Sequence, residues 1–230
     1  MIKKSNLGIQ INVIKIMFHM KKVYFVISIL TFISSATFGQ SFEGTIDFTQ
    51  VNGTDTSLYK YYVKGNNVRV DNFDTRTKNN EGTFLIDLST KKLTALSPVR
   101  KIYFDQPSGT PIKATGTPKV TKTSNVKKIN GYSCTEYDVT DAEEGLKISY
   151  WMASGHFEFF VGMLQILNRK DKYSEYFLEI PNTQGMFPMF SEQWDLQGNK
   201  KGSMKAHGVT KAPQSDEVFK IPPGYKEFKK

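Results

Sequence analysis

From Phe42 onward the chain keeps a period of two, interrupted at short intervals by turn residues. Phe42, Gly44, Ile46 and Phe48 alternate with Glu43, Thr45, Asp47 and Thr49. Successive side chains of an extended strand point to opposite faces, so this pattern gives one apolar face and one wet face. The segments 58–63 and 68–73 flank Gly65-Asn66 and predict a hairpin, because that pair tolerates the tight turn. Further strands are expected at 83–88, 93–96, 101–104, 126–129, 134–139, 146–152, 190–196 and 203–209. Asn130-Gly131 and Gln197-Gly198-Asn199 supply two of the turns. About ten strands at this spacing have connections too short for a parallel crossover, so they must pair antiparallel. Residues 106–125 carry Pro107, Pro111, Pro118, Gly109 and Gly116 with few large apolar residues, which predicts a loop. Lys113, Lys119, Lys122, Lys127 and Lys128 in and beyond it suit either a solvated loop or a patch for anionic surfaces, and the solvated loop is preferred.

One segment departs from this period. Between His156 and Arg169 the residues Phe157, Phe160, Val161, Leu164 and Leu167 recur at helical spacing, with Phe159, Met163 and Ile166 beside them. The polar remainder, Glu158, Gly162, Gln165 and Arg169, forms a narrow stripe. A helix this apolar needs shelter, and the hollow of a curved sheet provides it. Two consequences stay open: the helix completes the core, or helix and sheet leave a gap for an apolar ligand lined by Phe157, Phe160, Val161, Leu164 and Leu167.

The first 39 residues read as an export leader. Lys21 and Lys22 precede the apolar run Val23–Ile33, and Thr37 and Gly39 close the segment, the order a secretory signal requires. The run is short of the roughly 20 residues needed to span a bilayer. The signal proper is expected over 20–39, with Met1 an upstream start and a single β-rich domain over 40–230. The chain has 31 Lys and Arg against 22 Asp and Glu, but five of the lysines and none of the acids precede residue 40, so the remainder is 26 against 22. A mildly basic balance gives no ground for nucleic-acid binding. The lone Cys134 excludes an internal disulfide and, on an alternating stretch, reads as a buried apolar residue.

Catalytic signatures are missing from the same region. There is no Gly-x-Ser-x-Gly elbow and no phosphate-binding glycine loop. His156 and His207 are far apart in sequence and are expected to be structural, so no metal and no cofactor is expected. Asp141, Glu143 and Glu144 sit by Gly145, where a solvated turn is expected.

Three stretches carry a resemblance. Ile129-Asn130-Gly131-Tyr132-Ser133-Cys134-Thr135-Glu136-Tyr137 resembles the "I-x-G-Y-x-C-x-x-Y" strand pair of an exported family of domains of unknown function common in Bacteroidetes. Phe187-Pro188-Met189 with Trp194–Asn199 resembles the strands after that family's helix, and Val218–Lys226 its closing "F-x-I-P-x-G-Y" motif. That family is similar in fold to periplasmic lipoprotein carriers and sensors of the LolA, LolB and RseB type. The resemblance implies a mainly β protein: a curved, unclosed antiparallel half barrel with one principal helix on its concave face and room for acyl chains. No arginine matches a carrier motif residue by residue.

The resulting expectation is a non-catalytic protein, periplasmic or secreted, that binds or carries a lipid or a lipoprotein acyl chain. The alternative is a protein–protein interaction module of the envelope, docking through an aromatic surface that includes Tyr59, Tyr61 and Tyr62.

Overall fold

The computed structural model describes residues 41–107 and 113–229, so the expected leader lies outside the described residues. Twelve strands form one sheet: β1 (Gly44–Asn52), β2 (Asp55–Lys64), β3 (Asn67–Phe73), β4 (Asn80–Asp87), β5 (Lys92–Ser97), β6 (Ile102–Gln106), β7 (Lys119–Ile129), β8 (Tyr132–Asp141), β9 (Leu146–Ser154), β10 (Met186–Asp195), β11 (Lys200–Lys211) and β12 (Lys226–Glu227). Their order is β12-β6-β5-β4-β3-β2-β1-β11-β10-β9-β8-β7. Its two ends do not pair, so the sheet is unclosed. Neighbours are antiparallel, as the short connections require, except that β12 joins β6 in parallel. That exception is reached by the long C-terminal return, which sequence periodicity does not reveal.

The sheet is strongly bent, and one contact demonstrates it. β2 and β10 are separated by β1 and β11, which would hold their side chains about 14 Å apart in a flat sheet at ~4.8 Å per strand. The rings of Tyr61 and Phe187, one from each strand, have centroids 6.5 Å apart. Register shifts at Asp47/Phe48, Pro188/Phe190 and Gln193/Trp194 supply local bends of the kind bulges produce.

Two helices fill the hollow. α1 (Phe159–Leu167) realises the predicted helix in shortened form. His156 has a left-handed φ of 61°, and Phe157 donates its N–H to Gly185 O, so the chain enters the helix only after a turn. Five of its nine residues are buried, each contributing about 1.5–3 kcal/mol by removal from water. The predicted polar stripe is real: Glu158 and Gln165 are exposed, and Gly162 and Arg169 are half-buried. α2 (Lys172–Leu178) has no counterpart among the elements expected from the sequence.

The expected loop over 106–125 is corrected in its second half. Residues 119–129 form edge strand β7, whose ladder with β8 is interrupted between Lys122 and Val126. Four lysines along this edge discourage pairing with another chain, and Lys127 lies 3.7 Å from the Trp151 ring centroid. The closing motif forms a strap on the outer face of the sheet. Lys64 pairs with Asp216 at 2.6 Å, Arg69 donates to Val218 O at 3.1 Å, and Phe228 donates its N–H to Tyr103 O.

Candidate functional site

The candidate site is the seam between the helix pair and the concave wall. Phe160, Leu164 and Leu167 from α1 meet Tyr173, Ser174 and Phe177 from α2 across a narrow cleft. Its sheet side is Phe48, Tyr61, Tyr150 and Met204, and the interhelical residues Arg169 and Asp171 complete it. Three of the five predicted lining residues therefore converge. Phe157 is instead fully buried among Phe42, Tyr132 and Phe187, with centroids 5.0, 5.6 and 5.4 Å away. Val161 is half-buried against the core and does not line the cleft.

The cleft is closed in this structure. Its volume is about 20 Å³, enough for one water, whereas small-molecule pockets are about 300–1,000 Å³. Phe160 explains the tightness, with its ring 4.7 Å from Phe187 and 4.9 Å from Phe177, both edge to face. The expectation of ready-made room for an acyl chain is thus corrected: α1 fills the hollow and completes the core.

The two helices are held by different chemistry. α1 has no side-chain N-cap and depends on apolar burial. Asp171 caps α2, accepting from Ser174 N–H at 3.0 Å and Ser174 Oγ at 2.9 Å. Lys172 reaches Glu175 at 3.1 Å, Glu144 at 3.3 Å and the Thr115 hydroxyl at 3.2 Å, while Thr115 also bonds Glu144. The Thr115 hydroxyl, followed by Lys172, holds the Glu144 carboxyl below the usual glutamate range. Residues 114 and 115 therefore lie against α2, with Ala114 donating its N–H to Glu179 and Thr115 touching Lys172, and Glu175 of the helix is buried.

This polar packing has one gap near the seam. Ser191 Oγ is buried without a hydrogen-bond partner among the described residues, whereas Glu175 Oε2 pairs with Lys172, Tyr176 OH faces the Asp141 carboxyl and Tyr173 OH faces the Gln193 backbone. Asp141 is a correction: the expected solvated turn acid is fully buried. Its Oδ1 accepts from the N–H groups of Glu143 and Glu144, while Oδ2 packs on Gly116. Burial, then the Asp141 charge, pushes the Tyr176 phenol up. Burial likewise raises Tyr61, Tyr150 and Tyr173. These phenols are neutral donors at physiological pH.

Gly202 on β11 makes room for α2, since a Cβ there would stand 2.9 Å from Tyr173 OH and 2.4 Å from Val51 O. Cys134 is fully buried, and burial raises its thiol. His207 Nε2 lies 2.7 Å from Thr49 Oγ1, and His156 is 3.4 Å from Glu158. The expected tyrosine docking surface does not exist as a patch. Tyr61 is buried, Tyr59 stacks on Phe48 at 5.0 Å on the same inner face, and Tyr62 alone looks outward beside Lys60 and Arg69.

A larger hollow of about 340 Å³ lies on the outer face, between Leu85, Thr94 and the strap residues Phe219 and Ile221. Its charged rim is already engaged: Lys92 with Asp105, Lys220 with Glu217, and Asp87 with Ser89.

The chain belongs to the family described as Domain of unknown function (DUF4412), whose profile matches residues 42–225. No curated protein matches it. Among solved structures it is similar to an uncharacterized conserved protein from Thermus thermophilus, at 8% identity and TM-score 0.47, covering 81% of this chain and 90% of that one. It is similar also to PNGF-II, at 8% identity and TM-score 0.43, covering 82% of this chain but only 31% of that one. A third similarity is to a domain described as an outer membrane lipoprotein-sorting protein from Vibrio parahaemolyticus. There the identity is 13% and the TM-score 0.33, with 77% of this chain and 89% of that one covered. No helix among the described residues is long and apolar enough to cross a membrane.

Proposed function

We propose that this protein is a non-catalytic component of the cell envelope that binds one apolar molecule, a lipid or a lipoprotein acyl chain, between its helix pair and the concave wall. The observation that carries the reading is the seam itself: aromatic and aliphatic side chains of two helices facing an aromatic wall, closed over a cleft with a charged residue at its side. Export is supported by the leader-like order of residues 20–39.

The closed cleft makes this a gated site. α1 is anchored by its ring contacts, so the element that yields is α2 with the 168–171 connection. α2 buries the polar groups of Tyr173, Ser174, Glu175 and Tyr176, and their return to water recovers desolvation free energy that lowers the work of moving it. The resting state keeps the aromatic wall dry, and a guest takes over the apolar contacts that α2 gives up.

Mass spectrometry of lipids extracted from protein purified out of the envelope tests the reading. A stoichiometric acyl lipid is the expected result. A lipid-free preparation that also takes up no fluorescent fatty acid overturns it.

A further inference from the structure

Arg169 is placed where a ligand's head group would meet the cleft. It lines the seam beside Leu167 and Asp171 and is half-buried. Its guanidinium carbon is 5.4 Å from the Tyr59 ring centroid and 5.6 Å from that of Phe84, so the cation rests on aromatic surface. None of the ion pairs among the described residues includes it.

The acid that lines the seam with Arg169 is Asp171. Asp171 uses one carboxylate oxygen on Ser174 N–H and the other on Ser174 Oγ to start α2. Lys172, the neighbouring cation, is held by Glu144 and Glu175. Arg169 is therefore a cation supported by aromatic contacts and outside the ion pairs of the described residues. A guanidinium carries five donors in a fixed plane, and the fork matches the two oxygens of a carboxylate or phosphate.

We infer that Arg169 is a specificity residue that makes the cleft select amphiphiles with an anionic head group over neutral or cationic ones of equal chain length. This rests on the apolar-ligand reading above and adds the head-group chemistry. The acyl chain lies against Phe160, Leu164, Tyr61 and Phe177, and the anionic oxygens meet the guanidinium at the connection between the helices. Binding there ties the ligand to the segment that must move to admit it. Carboxylate and phosphate heads share this chemistry, and a matched pair of probes separates them.

The test is a titration of the whole exported protein with laurate, dodecyl phosphate, dodecanol and dodecylamine, by calorimetry or displacement of a fluorescent fatty acid. One or both anionic probes should bind at least about tenfold more tightly than dodecanol, the strength of one charge-assisted hydrogen bond. Higher salt should weaken the anion alone. R169Q should remove the difference between anionic and neutral probes, and R169K should restore part of it, because charge without the planar fork is an incomplete substitute. Equal binding of anionic and neutral probes, or preference for dodecylamine, overturns the selectivity and leaves the apolar cleft standing. Failure of all four probes to bind overturns the cleft reading and this inference with it. The head-group comparison on the unaltered protein decides the matter even where R169Q folds poorly.

Discussion

α1 and α2 lie side by side over the same wall, yet they are buried on different terms. α1 hides apolar side chains and leaves Gln165 in water. α2 takes Tyr173, Ser174, Glu175 and Tyr176 out of water, and their polar atoms depend on partners such as Asp171 and Lys172. The first arrangement is cheap to keep, because apolar burial carries no obligation to find partners. The second holds only while Asp171, Lys172 and the 113–118 segment stay in place. The proposed binding role uses both, α1 as a fixed floor and α2 as a cover that can lift.

The sharpest way to break this contrast is Phe160→Ala, which removes the ring joining α1 to Phe177 and Phe187. Equilibrium urea unfolding should show a loss of about 3–5 kcal/mol, the usual range for a buried aromatic. A loss below about 1 kcal/mol would mean that α1 is not the anchor.

Gly116→Ala attacks the cover of α2. Gly116 has φ +88°, and a Cβ there would fall 2.4 Å from Asp141 Oδ2. The added methyl should cost about 1–3 kcal/mol through strain and overpacking, read as a lowered midpoint of thermal unfolding. An unchanged midpoint would show that the 113–118 segment is not pressed against its support.

Ser191→Ala sharpens the contrast from the opposite side. Ser191 faces the same wall as its cross-strand partner Tyr150, whose hydroxyl donates to Tyr173 O. Its own Oγ is fully buried and unpartnered among the described residues. Deleting it should stabilise the protein by about 1 kcal/mol, and a comparable loss would reveal a polar contact there.

Acid should loosen the α2 cover before the α1 floor. The Glu144 carboxyl is held below its ordinary value by Thr115 and then Lys172. A depressed folded value means that the contact stabilises fully above the ordinary glutamate value and is lost as pH falls through the folded one. Hydrogen exchange should rise first at residues 114–118 below about pH 4, with Asp141, Glu143, Lys172 and Glu179 the other charges that touch that segment. Simultaneous loosening of α1 would contradict the separation. The smallest effect belongs to Gln165→Ala, which should move stability by no more than about 0.5 kcal/mol.

Much of the wall is legible in the sequence because alternation is a local signal. The hairpin about Gly65-Asn66 and the turn at Asn130-Gly131 are both readable, and the latter uses left-handed φ values of 50° and 85°. α1 is readable because its polar stripe has helical spacing. α2 escapes notice although Asp171 is an N-cap and Tyr173, Tyr176 and Phe177 follow at helical intervals. Only seven residues long and rich in polar side chains, it resembles a loop until tertiary packing buries it. The burial of Asp141 and the position of Arg169 are beyond sequence reasoning for a related reason. Both depend on segments distant in the chain, Gly116 for the first and Tyr59 with Phe84 for the second. Phe157 shows the converse error, since correct helical spacing places it on the helix although the turn at His156 sends it into the core.

The most direct test of a gated seam is hydrogen exchange across the whole protein, with and without saturating fatty acid. The account predicts that exchange slows at residues 168–178 and that α1 stays protected in both states. Unchanged exchange throughout 159–178, or protection appearing instead at the outer strap around Phe219 and Ile221, would contradict it.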